Sequence, residues 1–98
     1  MYTRFISKVN VNEHLYHFSF VKLFSFFSSK YSVLVFDESG KPLVFKMHLK
    51  NNNWKIIFKG NMPHWILDFE TELQNCILQA QANQRSYAMI DCNNYSLN

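Results

Sequence analysis

Apolar and polar residues alternate with a period of two through much of residues 5–59. Leu43, Phe45, Met47 and Leu49 alternate with Val44, Lys46, His48 and Lys50, and Trp54, Ile56 and Phe58 alternate with Lys55, Ile57 and Lys59. Successive side chains of a strand point to opposite faces, so both runs predict half-buried strands. Asn51-Asn52-Asn53 lies between them and tolerates the left-handed backbone of a tight hairpin turn. A two-residue loop at Asn51-Asn52 sets Lys50 opposite Asn53, Leu49 opposite Trp54, Met47 opposite Ile56 and Phe45 opposite Phe58. A slip of one residue would bring Lys55 against Leu49, so the pattern specifies the register.

Tyr31–Phe36 predicts a strand that runs into Asp37-Glu38-Ser39-Gly40-Lys41-Pro42, a turn signal with both Gly and Pro. A four-residue loop Glu38–Lys41 would set Leu34 against Phe45 and Phe36 against Leu43. Tyr31, Val33 and Val35 would then share a face with Val44, Lys46 and His48. Phe5–Val11 and Leu15–Leu23 predict two earlier strands, separated by the polar break Asn12-Glu13.

Gly60-Asn61-Met62-Pro63 ends the strand pattern, and Pro63 suits the first turn of a helix, where a missing N–H costs nothing. From there Ile66, Phe69, Leu73, Cys76, Ile77 and Ala80 fall on one helical stripe. The expected fold is α+β: an antiparallel meander of about four to five strands with one long C-terminal amphipathic helix packed across one face. Residues 1–85 form the expected domain. Residues 86–98 read as a tail in which Tyr87–Ile90 forms a short strand or extends the helix.

Composition supports a folded chain and points to exposed rings. Of 98 residues, 48 % are apolar and 17 % charged, which excludes an intrinsically disordered chain. Ten Phe, five Tyr and two Trp are more than one sheet and one helix conceal, which predicts exposed aromatics and an interface. Charge is uneven. Residues 1–60 hold nine Lys/Arg against Glu13, Asp37 and Glu38, a net +6; residues 61–98 hold Arg85 against Asp68, Glu70, Glu72 and Asp91, a net −3. The strand half is basic and the helix half acidic.

Cys76 and Cys92 lack C-x-x-C spacing and read as reduced thiols of a cytoplasmic protein. The longest apolar-leaning stretch, Phe18–Phe27, is too short and too often interrupted to span a bilayer, and no signal peptide is visible, so no membrane role is expected.

No catalytic, cofactor-binding or metal-ligating set emerges. His14, His17, His48 and His64 do not sit at ligand spacings, and His14 and His17 fall on opposite faces of a strand. Asp68 and Glu72 share a solvated helix face, whereas Glu70 lies at the margin of the apolar stripe and needs a partner, a sheet lysine or a backbone N–H. No Ser or Cys nucleophile stands beside a base, and two glycines do not make a phosphate cradle.

The chain therefore reads as a small non-enzymatic interaction module that docks a protein partner or self-associates as a homodimer. Trp65, Leu67 and Leu78 off the main helical stripe, with the Phe-rich Phe18–Phe27 segment, are the expected interface. The alternative is single-stranded nucleic-acid binding on a basic sheet face formed by Tyr31, Lys46, His48, Lys50, Lys55 and Lys59. In that respect the order of elements, strands and then one helix, resembles the general plan of small β-β-β-β-α single-stranded-DNA binders.

Overall fold

The computed structural model describes residues 4–24, 28–57, 60, 62–82 and 89–91. Five consecutive strands form an antiparallel meander: β1 (Arg4–Val11), β2 (His14–Leu23), β3 (Lys30–Phe36), β4 (Pro42–Lys50) and β5 (Asn53–Ile57). Two helices follow, α1 (His64–Asp68) and α2 (Glu70–Ala82), and then a three-residue strand β6 (Met89–Asp91). Strand β6 runs parallel to β1, so the order across the sheet is β5-β4-β3-β2-β1-β6. The expected α+β fold is the observed one, and β6 falls within the stretch read as a tail. Helix α2 lies against both β5 and β6, at the two ends of a curled sheet.

Alternation decides which side chains fill the curl. Phe5 and Val9 of β1, Tyr16, Phe18 and Phe20 of β2, Tyr31, Val33 and Val35 of β3, Phe45 and Met47 of β4, and Trp54 and Ile56 of β5 are all buried. They meet Ile66, Leu73, Cys76, Ile77 and Ala80 from the helices in one core. Rings hold its centre. Phe5 stacks on Phe20 at 4.5 Å between centroids, and Tyr31 meets Phe5, Phe20 and Trp54 edge-on. Burial in this cluster raises the Tyr31 phenol pKa above its ordinary value, against a smaller opposing effect from a hydrogen bond with Gln81. Ser7 is the polar exception: it is fully buried on the same face, and its hydroxyl has no hydrogen-bond partner.

The β4–β5 hairpin has the expected register, with Leu49 opposite Trp54 and Met47 opposite Ile56. Asn51 and Asn52 take φ of 52° and 67°, the left-handed pair a two-residue turn needs. Phe58, expected opposite Phe45, lies outside the described residues. The β3–β4 hairpin differs from expectation by one residue. Val33 faces Phe45, Leu34 faces Val44 and Val35 faces Leu43.

The cause of that difference is the turn. The Asp37 N–H donates to the Lys41 carbonyl at 2.9 Å, which leaves a three-residue loop Glu38-Ser39-Gly40 in place of four. Asp37 Oδ1 accepts from the Ser39 N–H, the Ser39 hydroxyl and the Lys41 N–H at 3.0, 2.7 and 2.8 Å, and Gly40 takes φ +85° to close it. A shift of one residue exchanges the faces of a strand. Tyr31, Val33 and Val35 therefore join the core, while Lys30, Ser32, Leu34 and Phe36 share the outer face with Val44, Lys46 and His48.

The helical segment starts after Pro63 as expected, with the Ile66 N–H donating to the Pro63 carbonyl. It is not one long helix: Phe69 interrupts it with φ −100° and ψ 12°, and its N–H bonds the Ile66 carbonyl. No Gly or Pro marks this break. On α2 the predicted stripe is buried at Leu73, Cys76, Ile77 and Ala80. Its polar margin closes the sheet edge. The Trp54 N–H donates to Gln74 Oε1, and the Ile56 N–H donates to Glu70 Oε2 at 2.7 Å. Unpaired N–H groups of an edge strand attract foreign strands, and here side chains of the helix satisfy them. Lys55 Nζ also lies 3.9 Å from Glu70, so this carboxylate has both kinds of partner its position called for.

Cys76 is disulfide-bonded, which corrects the reading of reduced thiols. Disulfides need Cα atoms within about 7 Å, a tertiary condition that the spacing of cysteines along the chain does not reveal. The other cysteine of the chain, Cys92, lies outside the described residues. A persistent disulfide belongs to oxidising surroundings, so the cytoplasmic expectation loses its support.

Candidate functional site

The helices join the core on the inner side of the sheet, and the outer face carries no described helix. Three rows of side chains follow from the register. Ile6, Ser19, Leu34 and Val44 form one row across four strands; Arg4, Val21, Ser32, Lys46 and Ile57 form the next; Lys30, His48 and Lys55 form a third. Val44 is 64 % exposed and Phe36, beyond the first row, 52 %. Val21 is exposed as well, whereas Ile6, Leu34 and Ile57 are half-buried. An apolar centre of this breadth is more than a scatter of isolated exposed residues.

Across β1–β5 the charge on this face has one sign. Strands β1–β5 contain no Asp or Glu, so every ionised side chain they present is a cation. The cations flank the apolar rows: Arg4, Lys46 and Lys55 are exposed, and Lys8 and Lys30 are half-buried. Among the described residues Glu70 pairs with Lys55, at 3.9 Å and partly in solvent, where such a pair holds little energy.

The expected nucleic-acid set divides in space. Lys46, His48 and Lys55 come together on adjacent outer positions of β4 and β5, and Lys50 is exposed at the hairpin end. Tyr31 is on the opposite, inner face, 2 % exposed, and offers no ring to a ligand. Lys59 lies outside the described residues. The one-residue difference at Asp37–Lys41 moved Tyr31 inward and placed Phe36 outside in its stead. Burial parity was the signal that finds this: Lys30 and Ser32 share a face with Leu34 and Phe36, so the wholly apolar set Tyr31, Val33 and Val35 suits the interior.

The expected interface set also divides. Trp65 stacks on Tyr16 at 4.4 Å between centroids and meets Phe18 edge-on at 6.1 Å, so it seals one end of the core. Leu67 is half-buried against the same core, and only Leu78 is exposed. These three do not form one outward strip. Phe24 is the most exposed large apolar residue of the Phe-rich segment, at 72 %, while Phe18 and Phe20 are buried; residues 25–27 lie outside the described set.

A second feature was not read from the sequence. A cavity of about 420 Å³ opens where the β1–β2 turn, the β3–β4 turn and α1 converge, lined by Val11, Asn12, Tyr16, Asp37, Glu38, Ser39 and Trp65. Burial and then the neighbouring Glu38 and Asp37 carboxylates raise the Tyr16 phenol pKa. The Ser39 hydroxyl and the Lys41 N–H hold the Asp37 carboxyl below its usual range. Asp37 therefore stays ionised at neutral pH beside a phenol that stays neutral.

Among the described residues no group of three or more His, Cys, Asp or Glu side chains is placed to hold a metal ion. Nor is any described helix long and apolar enough to cross a membrane. Compared with protein-family models, curated proteins and solved structures, the chain has no significant match.

Proposed function

We propose that this protein is a non-enzymatic interaction module whose outer sheet face docks an acidic, partly apolar surface of a partner protein. The observation that supports this is the row Ile6–Ser19–Leu34–Val44, apolar but for Ser19 and bordered by Arg4 and Lys46, with no acid in β1–β5. Apolar contact supplies affinity and the cations supply steering and partner choice. Two copies joined through this face would oppose like charges, so a different chain suits it better than a second copy. Nucleic acid is the second reading, favoured by exposed Phe36 on the same face as the lysines, but the aliphatic Leu34 and Val44 match a protein surface rather than stacked bases.

Titration followed by backbone amide NMR tests this with defined probes. A synthetic amphipathic helix bearing Glu beside Leu should shift Leu34, Val44 and Lys46, and V44D should weaken it roughly tenfold, the loss of one well-buried contact. A preference for single-stranded oligonucleotide over that helix, with affinity falling steeply in salt, would move the assignment to nucleic acid. Light scattering on the free protein should give the 11.7 kDa mass of one chain. A dimer mass that V44D returns to one chain would show self-association through this face instead.

A further inference from the structure

The cavity at the turn end of the sheet differs in every respect from the outer face. Two of its seven lining residues are aromatic, Tyr16 and Trp65, and two are acidic, Asp37 and Glu38. Tyr16 and Trp65 stand nearly parallel, 26° apart and 4.4 Å between centroids, and both line it. Asp37 and Glu38 also line it, and among the described residues no Lys, Arg or His does. Glu38 is exposed, and its position in the loop leaves the turn hydrogen bonds to Asp37, Ser39 and Lys41.

We propose that this cavity binds an organic cation, an alkylammonium group. The negative face of an aromatic ring and nearby carboxylates attract the same charge; Tyr16 is buried beneath Trp65, so Trp65 is the ring left for the cation and for the alkyl groups that water hydrates poorly. Its volume of about 420 Å³ is near the lower end for small-molecule sites, which span roughly 300–1,000 Å³, and suits one small head group. An anion meets two carboxylates there and is excluded. A purely apolar ligand gains from the ring but leaves the carboxylates idle. Neither a bare metal ion nor a nucleotide fits as well: the first has too few ligands and the second too little room and the wrong charge. The site stands independently of the outer face, and failure here leaves that reading untouched.

The ammonium comes from one of two sources, a free quaternary amine or a lysine side chain of a partner. Titration of the whole protein with choline, with its neutral isostere 3,3-dimethyl-1-butanol, and with a lysine-containing tripeptide capped at both ends separates them. Choline or the tripeptide should shift the Trp65 indole N–H and the Val11 and Glu38 amides, while the neutral alcohol should not. E38Q should weaken binding several-fold and E38K should abolish it, with both variants keeping the amide spectrum of the fold elsewhere. Binding of the tripeptide without choline assigns the site to a partner's lysine, and the reverse to a free amine. Equal binding of choline and the alcohol, no shift with either cation at millimolar concentration, or unchanged affinity in E38K would overturn the proposal.

Discussion

The two faces of this one sheet are built from the same strands, yet they obey different rules. On β4, Phe45 and Met47 are buried, while Val44 next to Phe45 is 64 % exposed. Inside, apolar residues lie against other rings and the α2 stripe, so their identity is set by packing. Outside, Leu34, Val44 and Phe36 have no partner from a described helix, so packing against the described helices does not explain them. The cations are sorted in the same way: Arg4, Lys46 and Lys55 are outside, and Lys22 reaches inward only at the sheet end, 5.8 Å from the Tyr31 ring. Residues that folding does not require are the ones left for binding.

The sharpest way to break this contrast is to truncate one residue on each face. Phe18→Ala removes a fully buried ring and should cost about 3–5 kcal/mol. Val44→Ala should stay within about 0.5 kcal/mol in the same urea titration, as exposed positions do. A loss above about 1.5 kcal/mol at Val44 would mean that its face is covered within the folded chain, and the docking surface would be gone. A smaller effect separates the sheet edge from both faces. Gln74→Leu leaves the Trp54 N–H without its acceptor and should cost about 1–3 kcal/mol. Unfolding free energy equal to that of the parent would show that water replaces Gln74 there and that the helix does not close the edge.

Much of this contrast was legible in the sequence, and the part that was not has a local cause. Strict alternation from Leu43 to Lys50 and the Asn51-Asn52 turn fix one hairpin, because a two-residue loop permits few geometries. Glu70 was recognisable as needing a partner from its place on the helical wheel. At Asp37–Lys41, three- and four-residue loops have the same polar composition, and the choice depends on Asp37 accepting three hydrogen bonds and Gly40 entering the left-handed region. On β3 the polar residues Lys30 and Ser32 mark the outer face, but Leu34 and Phe36 on that same face blur the contrast with Tyr31, Val33 and Val35. The cavity was illegible for another reason: Val11, Tyr16, Glu38 and Trp65 come from three separate segments, and only the closed fold brings them together.

That turn also offers the mildest test, because it decides the faces while lying almost wholly in solvent. Hydrogen bonds from the Ser39 hydroxyl and the Lys41 N–H lower the Asp37 pKa in the folded state. A group with a lowered folded pKa contributes stability above its unfolded pKa and loses it as pH falls through the folded value. Asp37→Asn keeps an acceptor oxygen at the same position but has no charge to titrate. Melting temperatures of the two proteins should therefore differ at neutral pH, with the parent higher, and converge in acid below the aspartate range. Parallel melting curves across that range would mean that the charge of Asp37 does not stabilise the three-residue loop. The alternation on β3 would then be held by its cross-strand partners alone, with Tyr31, Val33 and Val35 drawn inward by the core and not directed there by the turn.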